Sequence, residues 1–147
     1  MKKAVIFDVD GTLADCQHRR HFIEGEGKKD WDSFFDPANV IKDPVIEPIA
    51  KLLRTLAQHT WVIIVTARRF EDREVTKAWL NLHQIRYDDL YIRKPGDRRD
   101  DAIFKREVLN DIQQNYEVEL VFDDRDRVVK MWREAGLTCL QVAEGNF

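Results

Sequence analysis

Apolar runs of strand length alternate with segments of helical periodicity, and this alternation limits the possible folds of the chain more than any other feature. The strand-like runs are residues 4–9, 61–65, 118–122 and 137–142, with a shorter one at 90–92. Between them the spacing predicts four helices. The first covers 44–59, where Val45, Ile49, Leu52, Leu53 and Leu56 form one apolar face. The second covers 70–83, with Val75, Trp79 and Leu82 at helical spacing. The third covers 102–112, with Ile103, Val108 and Ile112, and Asp101 is its expected N-cap. The fourth covers 127–135, with Val128, Met131, Trp132 and Ala135, and Gly136 stands where a C-cap belongs. Strands alternating with helices predict an α/β fold, a central parallel sheet with helices on both faces. Near-continuous apolar strands fit burial on both sides.

Residues from about 15 to 43 break the pattern. The stretch is long and polar, carries Gly25, Gly27 and Pro37, and holds the aromatics Trp31, Phe34 and Phe35. It reads as a small lid inserted after the first strand, and long connections of this kind are more often functional than idle. With 147 residues and no internal repeat, a single domain carrying this one insertion is the expected organisation.

Composition excludes several classes. A hydrophobic fraction of 44% rules out a disordered chain. The formal net charge of −3 gives no global attraction to nucleic acid, so any such binding needs a local basic patch. Cys16 and Cys139 are far apart and read as free thiols of a reducing compartment. The N-terminal apolar run stops at Asp8, too soon for a signal peptide or a membrane span. A cytoplasmic location without a membrane partner is therefore expected.

The chemistry concentrates at strand ends. In Phe7-Asp8-Val9-Asp10-Gly11-Thr12, strand alternation turns Asp8 and Asp10 to one side and Val9 to the other. Gly11 permits a turn and a close backbone approach to a ligand. Two carboxylates there suit one divalent metal plus nucleophilic or acid/base chemistry. Val121-Phe122-Asp123-Asp124 repeats the pattern, and hard cations want converging carboxylates. Thr66-Ala67-Arg68-Arg69 follows another strand, where a hydroxyl and an arginine fork can hold phosphoryl oxygens; the plainer alternative is a helix cap with surface arginines. Lys105 falls early in a predicted helix, against its dipole; alone it reads as one more solvated charge. Arg93, Lys94, Arg98 and Arg99 around Pro95-Gly96 form either a solvated loop or a phosphate-facing rim. Gly25-Glu26-Gly27-Lys28-Lys29 lacks the G-x-x-x-x-G-K-[ST] spacing of a nucleotide-binding loop. His18, His21, His59 and His83 show no metal-ligand spacing with the cysteines.

Taken together, Asp8-Val9-Asp10-Gly11-Thr12, Thr66, Lys105 and Asp123-Asp124 resemble the four motifs of the haloacid dehalogenase superfamily of phosphotransferases, a Rossmann-like fold. Val65-Thr66-Ala67-Arg68, Gly96-Asp97-Arg98-Arg99-Asp100-Asp101 with Lys105, and Asp123-Asp124-Arg125 with Val128-Val129-Lys130-Met131-Trp132-Arg133 resemble the phosphatase domain of phage-type polynucleotide kinase–phosphatases. So does the stretch from Gly136 to Phe147. The resemblance implies a magnesium-dependent phosphomonoesterase that removes 3′-phosphates from nucleic-acid ends or nucleotides, with a separate kinase or ligase as a partner. It implies Asp8 as nucleophile and Asp10 as general acid and base, with an Asp10 pKa raised enough to keep its proton. Mg2+ would be held by Asp8, the backbone carbonyl of Asp10, and Asp123 or Asp124. Thr66 and Lys105 would hold the phosphoryl oxygens, and Gly11 and Thr12 would line the substrate. Arg68, and Arg19 or Arg20 from the lid, would contact substrate, while Asp101 would orient Lys105 or Arg68. A phosphatase of small molecules or nucleoside 5′-monophosphates is the alternative within enzymes. A non-catalytic phospho-ligand binding module is the alternative outside them.

Overall fold

The computed structural model describes all residues, 1–147. Five parallel strands form one sheet in the order β3-β2-β1-β4-β5. They are β1 (Lys2–Phe7), β2 (Trp61–Val65), β3 (Asp89–Tyr91), β4 (Tyr116–Asp123) and β5 (Cys139–Gln141). The order runs outward from β1 in both directions, so β1 and β4 flank the point where the winding reverses. Ligands of open α/β sheets bind beyond the strand C-termini at that point.

The pleat of β1 sorts its side chains between two cores. Val5, Phe7 and Val9 pack on one face with Leu53, Trp79 and Leu80, from α3 (Glu47–Leu56) and α4 (Arg73–Leu82). Ala4 and Ile6 pack on the other with Phe104, Val108, Val128 and Trp132, from α5 (Asp101–Ile112) and α6 (Asp126–Glu134). The expected helices on both faces are thus present. α3 and α4 are one to three residues shorter than their apolar periodicity at each end, α5 begins one residue earlier than expected, and α6 is displaced by one residue toward the N-terminus.

Two local differences have clear causes. The first strand lies two residues earlier than the apolar run 4–9, because the backbone turns after Asp8. Gly11 adopts φ +83°, and Thr12, Leu13 and Ala14 all donate to the Val9 carbonyl. The N-cap of α5 is Asp100, not Asp101: the Asp100 carboxylate accepts the Ala102 N–H. Asp101 is left free for other partners.

The segment 15–43 folds as short pieces: a 3-10 turn at Gln17–Phe22, α1 (Trp31–Phe34) and α2 (Pro37–Val40). Its two ends meet, with the Asp15 N–H donating to the Pro44 carbonyl at 2.8 Å and Ala14 bridging Val45. The insertion therefore leaves and re-enters the domain at one place, beside the tip of β1.

Candidate active site

The ends of β1, β2 and β4 and the start of α5 shape a cleft of about 80 Å³ lined by Asp8, Asp10, Thr66, Lys105, Asp123 and Asp124, together with Asp101, Arg125 and Phe147. Pockets that enclose whole ligands are several times larger, so this one suits a phosphoryl-sized group with the rest of a molecule outside.

The first wall is a buried charge cluster. The Lys105 Nζ donates to Asp8 Oδ1 at 2.9 Å and to Asp123 Oδ2 at 2.8 Å. Two of its three N–H groups are used and one remains for the cleft. Burial alone would favour a neutral amine, but Asp123 and Asp8 reverse this and hold the ammonium charged far beyond its usual range. Thr12 is fully buried and its hydroxyl donates to Asp8 Oδ2 at 3.3 Å. Asp123 is held further by the indole N–H of Trp132 at 3.1 Å and by the Asp124 N–H at 2.9 Å. Burial, and then the Asp123 charge, push Asp8 well above its usual value, against the pull of Lys105. The same two causes raise Asp124 to about 6.

Carboxylate oxygens of Asp8, Asp123 and Asp124 lie within 4.8 Å of one another, all buried. This donor set fits a hard divalent cation, which takes carboxylate oxygens and relieves like-charge crowding. The Asp10 side chain is outside that set. Gly11 leaves room for it: a Cβ there would lie 2.1 Å from Asp124 Oδ2. At this position the missing side chain matters as much as the positive φ.

The second wall is built around Asp10. Arg68 grips it as a fork, Nε to Oδ2 at 2.9 Å and Nη2 to Oδ1 at 2.6 Å. Arg19, from the insertion, adds an Nη2 contact to Oδ1 at 3.0 Å. Burial works against ionisation, but Arg68 and then Arg19 outweigh it and lower Asp10 to about 2. The expected raised pKa is therefore not a property of the ligand-free protein, because two guanidiniums stabilise the anion. Of the two candidate lid arginines, Arg19 reaches Asp10, whereas Arg20 lies 4.8 Å over the ring of Phe147.

Other expectations change in detail. Thr66 is buried at the end of β2, where its hydroxyl accepts the Arg68 N–H at 3.3 Å. Asp101 reaches neither Lys105 nor Arg68; it pairs with Arg93 Nη2 at 2.8 Å and with Arg125 Nη1. Two of the four side chains in the basic cluster are neutralised at home. Arg93 is buried and donates to the carbonyls of Ala67 and Arg99, while Arg99 pairs with Asp97 and Glu107. Lys94 and Arg98 remain exposed.

Sequence reading missed Asp43. It is 1% exposed and accepts from Arg19 Nε at 2.8 Å, Arg19 Nη2 at 2.6 Å and His18 Nε2 at 2.6 Å. It belongs to no strand end and no recurrent spacing, so only the folded insertion reveals it.

The strand order and the acids at the tips of β1 and β4 define a haloacid dehalogenase-type fold. The chain belongs to the family of polynucleotide kinase PNKP phosphatase domains, whose sequence profile spans residues 2–147. It is thus a phosphatase-family protein. It is 37% identical to a chain of the Pnkp1/Rnl/Hen1 complex, with a TM-score of 0.84 over 100% of this chain and 48% of that one. A protein of Autographa californica nuclear polyhedrosis virus, whose name pairs polynucleotide kinase with RNA ligase, is 29% identical over 90% of this chain and 18% of its own length. This chain therefore spans less than half the length of these two relatives. The haloacid dehalogenase-like hydrolase SP0104 of Streptococcus pneumoniae shares the fold at 19% identity, with a TM-score of 0.71 over 95% of this chain and 84% of that one.

Proposed function

We propose that the chain is a magnesium-dependent phosphomonoesterase acting through an aspartyl-phosphate, and that its substrate is a 3′-phosphate on a nucleic-acid end or nucleotide. The observation that carries the reading is the Asp8 carboxylate, 7% exposed at the tip of β1 and held between Lys105 and Thr12 in a cleft shared with Asp10. A nucleophile fixed this way loses little freedom on reaching the reactive geometry.

A phosphate monoester dianion repels carboxylates, so cations must surround it first. Lys105 offers its remaining N–H, and Arg68 competes between Asp10 and the incoming phosphoryl oxygens. Thr66 stands at the same mouth. An Asp8 oxygen bonds to phosphorus as the bond to the leaving oxygen breaks. Asp10, its arginine grip loosened as Arg68 turns to the phosphoryl group, takes up a proton from solvent and delivers it to the departing alkoxide. Water then attacks the aspartyl-phosphate, Asp10 accepts its proton and returns it to solvent as Arg68 regrips the carboxylate, and inorganic phosphate leaves with Asp8 restored. Mg2+ would be held by Asp8, Asp123 or Asp124 and the Asp10 carbonyl; when bound it neutralises charge on the transferring group.

The family match and the likeness to a chain of the Pnkp1/Rnl/Hen1 complex support a nucleic-acid end over a small metabolite. They also support a kinase or ligase acting on the same ends, on this polypeptide or another. The presence of both Asp8 and Asp10 speaks against a purely phospho-ligand-binding module. No helix is long and apolar enough to cross a membrane. The test is phosphate release, with magnesium, from 3′- and 5′-phosphorylated oligonucleotides and from mononucleotides. The expected result is preference for the 3′-phosphorylated oligonucleotide. Preference for mononucleotides would move the reading to a nucleotidase.

A further inference from the structure

Between the insertion and the sheet lies a closed set of four charged side chains. Asp10 and Asp43 face Arg19 and Arg68, so the formal charges balance. The shared atom is Arg19 Nη2, which donates to Asp43 Oδ2 at 2.6 Å and to Asp10 Oδ1 at 3.0 Å. The rest of the Arg19 guanidinium is fixed as well. Its Nε donates to Asp43 Oδ1, its Nη1 donates to the Phe34 carbonyl at 3.0 Å, and its plane lies 4.4 Å from the Phe34 ring centre. Both Arg19 and the Asp43 side chain are fully buried. The Arg19 guanidinium is thus committed to Asp43, Asp10 and Phe34.

Asp43 is itself anchored from the domain side. The Trp79 indole of α4 donates to the Asp43 carbonyl at 2.9 Å, and the Asp43 N–H donates to Val40 at 3.1 Å. His18 closes the remaining side of Oδ1 at 2.6 Å. Asp43 lies where the insertion re-enters the domain: its carboxylate couples the folded lid to Asp10 through Arg19, and its backbone carbonyl ties it to a core helix.

We propose that Asp43 is a positioning residue for the reaction: through Arg19 it fixes the Asp10 carboxyl toward the leaving group. The inference rests on the proposed phosphatase activity. Arg68, nearly as buried as Arg19, grips Asp10 through Nε and Nη2 while its Nη1 donates to Thr76 Oγ1 at 2.9 Å, and in the proposed reaction it is the guanidinium drawn toward the phosphoryl group. Arg19 cannot follow, because Asp43 and Phe34 hold it. Once Arg68 turns, Arg19 is the remaining side-chain grip on Asp10, and its geometry is set by Asp43.

A group that orients a general acid matters most when the leaving group is poor. Asp43→Asn keeps size but removes the charge and one acceptor facing Arg19. The measurement is kcat and KM of the full chain with magnesium on two substrates, a 3′-phosphorylated nucleotide (alkoxide leaving group) and a nitrophenyl phosphate. The expected result is a fall in kcat of roughly tenfold to a hundredfold on the nucleotide and less than about threefold on the aryl ester, with KM little changed. Arg19→Lys, which keeps charge but loses the fork, should show the same split, and the double variant should be no worse than the poorer single one. Equal losses on both substrates, no loss, or additive losses overturn the inference. So does failure of both single variants to fold, since Asp43 would then serve the fold alone. A wild-type chain inactive on both substrates overturns the function itself, an outcome distinct from all of these.

Discussion

Lys105 is a buried cation between two carboxylates, and that geometry sets the consequence of losing it. Removing one partner of a buried ion cluster leaves uncompensated charge, typically a cost of about 3–5 kcal/mol. Lys105→Met should therefore lose stability of that order in denaturant titration. Adding Asp8→Asn to it should restore part of the loss, because one of the two carboxylates left facing each other becomes neutral. Asp8→Asn alone should keep the fold and abolish turnover, since an amide is not phosphorylated as a carboxylate is. Near wild-type turnover would remove Asp8 from the nucleophile's role. At this scale the sequence was informative where residues sit at strand ends. Asp8, Asp10, Thr66, Asp123 and Asp124 converge because parallel strands end together. Lys105 converges because α5 starts beside them. Asp43 was invisible, because its meaning depends on how an irregular insertion folds back. The partners of Asp101 were invisible for a related reason: a cap one residue earlier frees its carboxylate for Arg93 and Arg125.

The elements were legible in kind and order because short continuous apolar runs mark the buried strands, whereas the helices space their apolar residues three to four apart. Their ends were less so, being set by caps and by the turn after β1. The α5 cap illustrates the link from a terminus to the site. Asp100 satisfies the Ala102 N–H and also pairs with Arg127 at the start of α6, 3.1 Å away. That cap fixes the first turn of the helix that presents Lys105. Asp100→Ala should cost about 1 kcal/mol, as lost N-caps do, and lower the melting temperature by a few degrees. Because Asp100 touches no group of the cleft, the KM of the phosphatase reaction should be unchanged while stability falls. A loss of activity without a loss of stability would show that α5 is not held by this cap. The insertion 15–43 was legible only as an interruption. Its short helices owe their arrangement to Arg19, Phe34 and Asp43 rather than to any periodicity of their own.

On the scale of the whole molecule, the fold concentrates like charge at one end of the sheet and must offset it. Burial and the neighbouring Asp123 charge raise the Asp124 carboxyl from 3.8 to about 6. The native state therefore binds this proton more tightly than the unfolded chain, so stability falls as pH rises from about 4 to about 6. Above that window the Asp124 carboxylate adds its charge to the buried cluster it forms with Asp8 and Asp123 beside Lys105. A divalent cation that binds the native cluster stabilises the fold by mass action, by about 2.7 kcal/mol at a free concentration about a hundred times Kd. Below about pH 6 it must first displace the Asp124 proton. Magnesium should therefore raise the melting temperature of the chain by several degrees at pH 7.5 and by much less at pH 5, read by calorimetry. Asp124→Asn provides the control: removing the ionisable group should flatten the decline between about pH 4 and 6 and shrink the magnesium shift at pH 7.5. A magnesium shift that is equal at both pH values, or unaffected by Asp124→Asn, would place the cation away from the tips of β1 and β4.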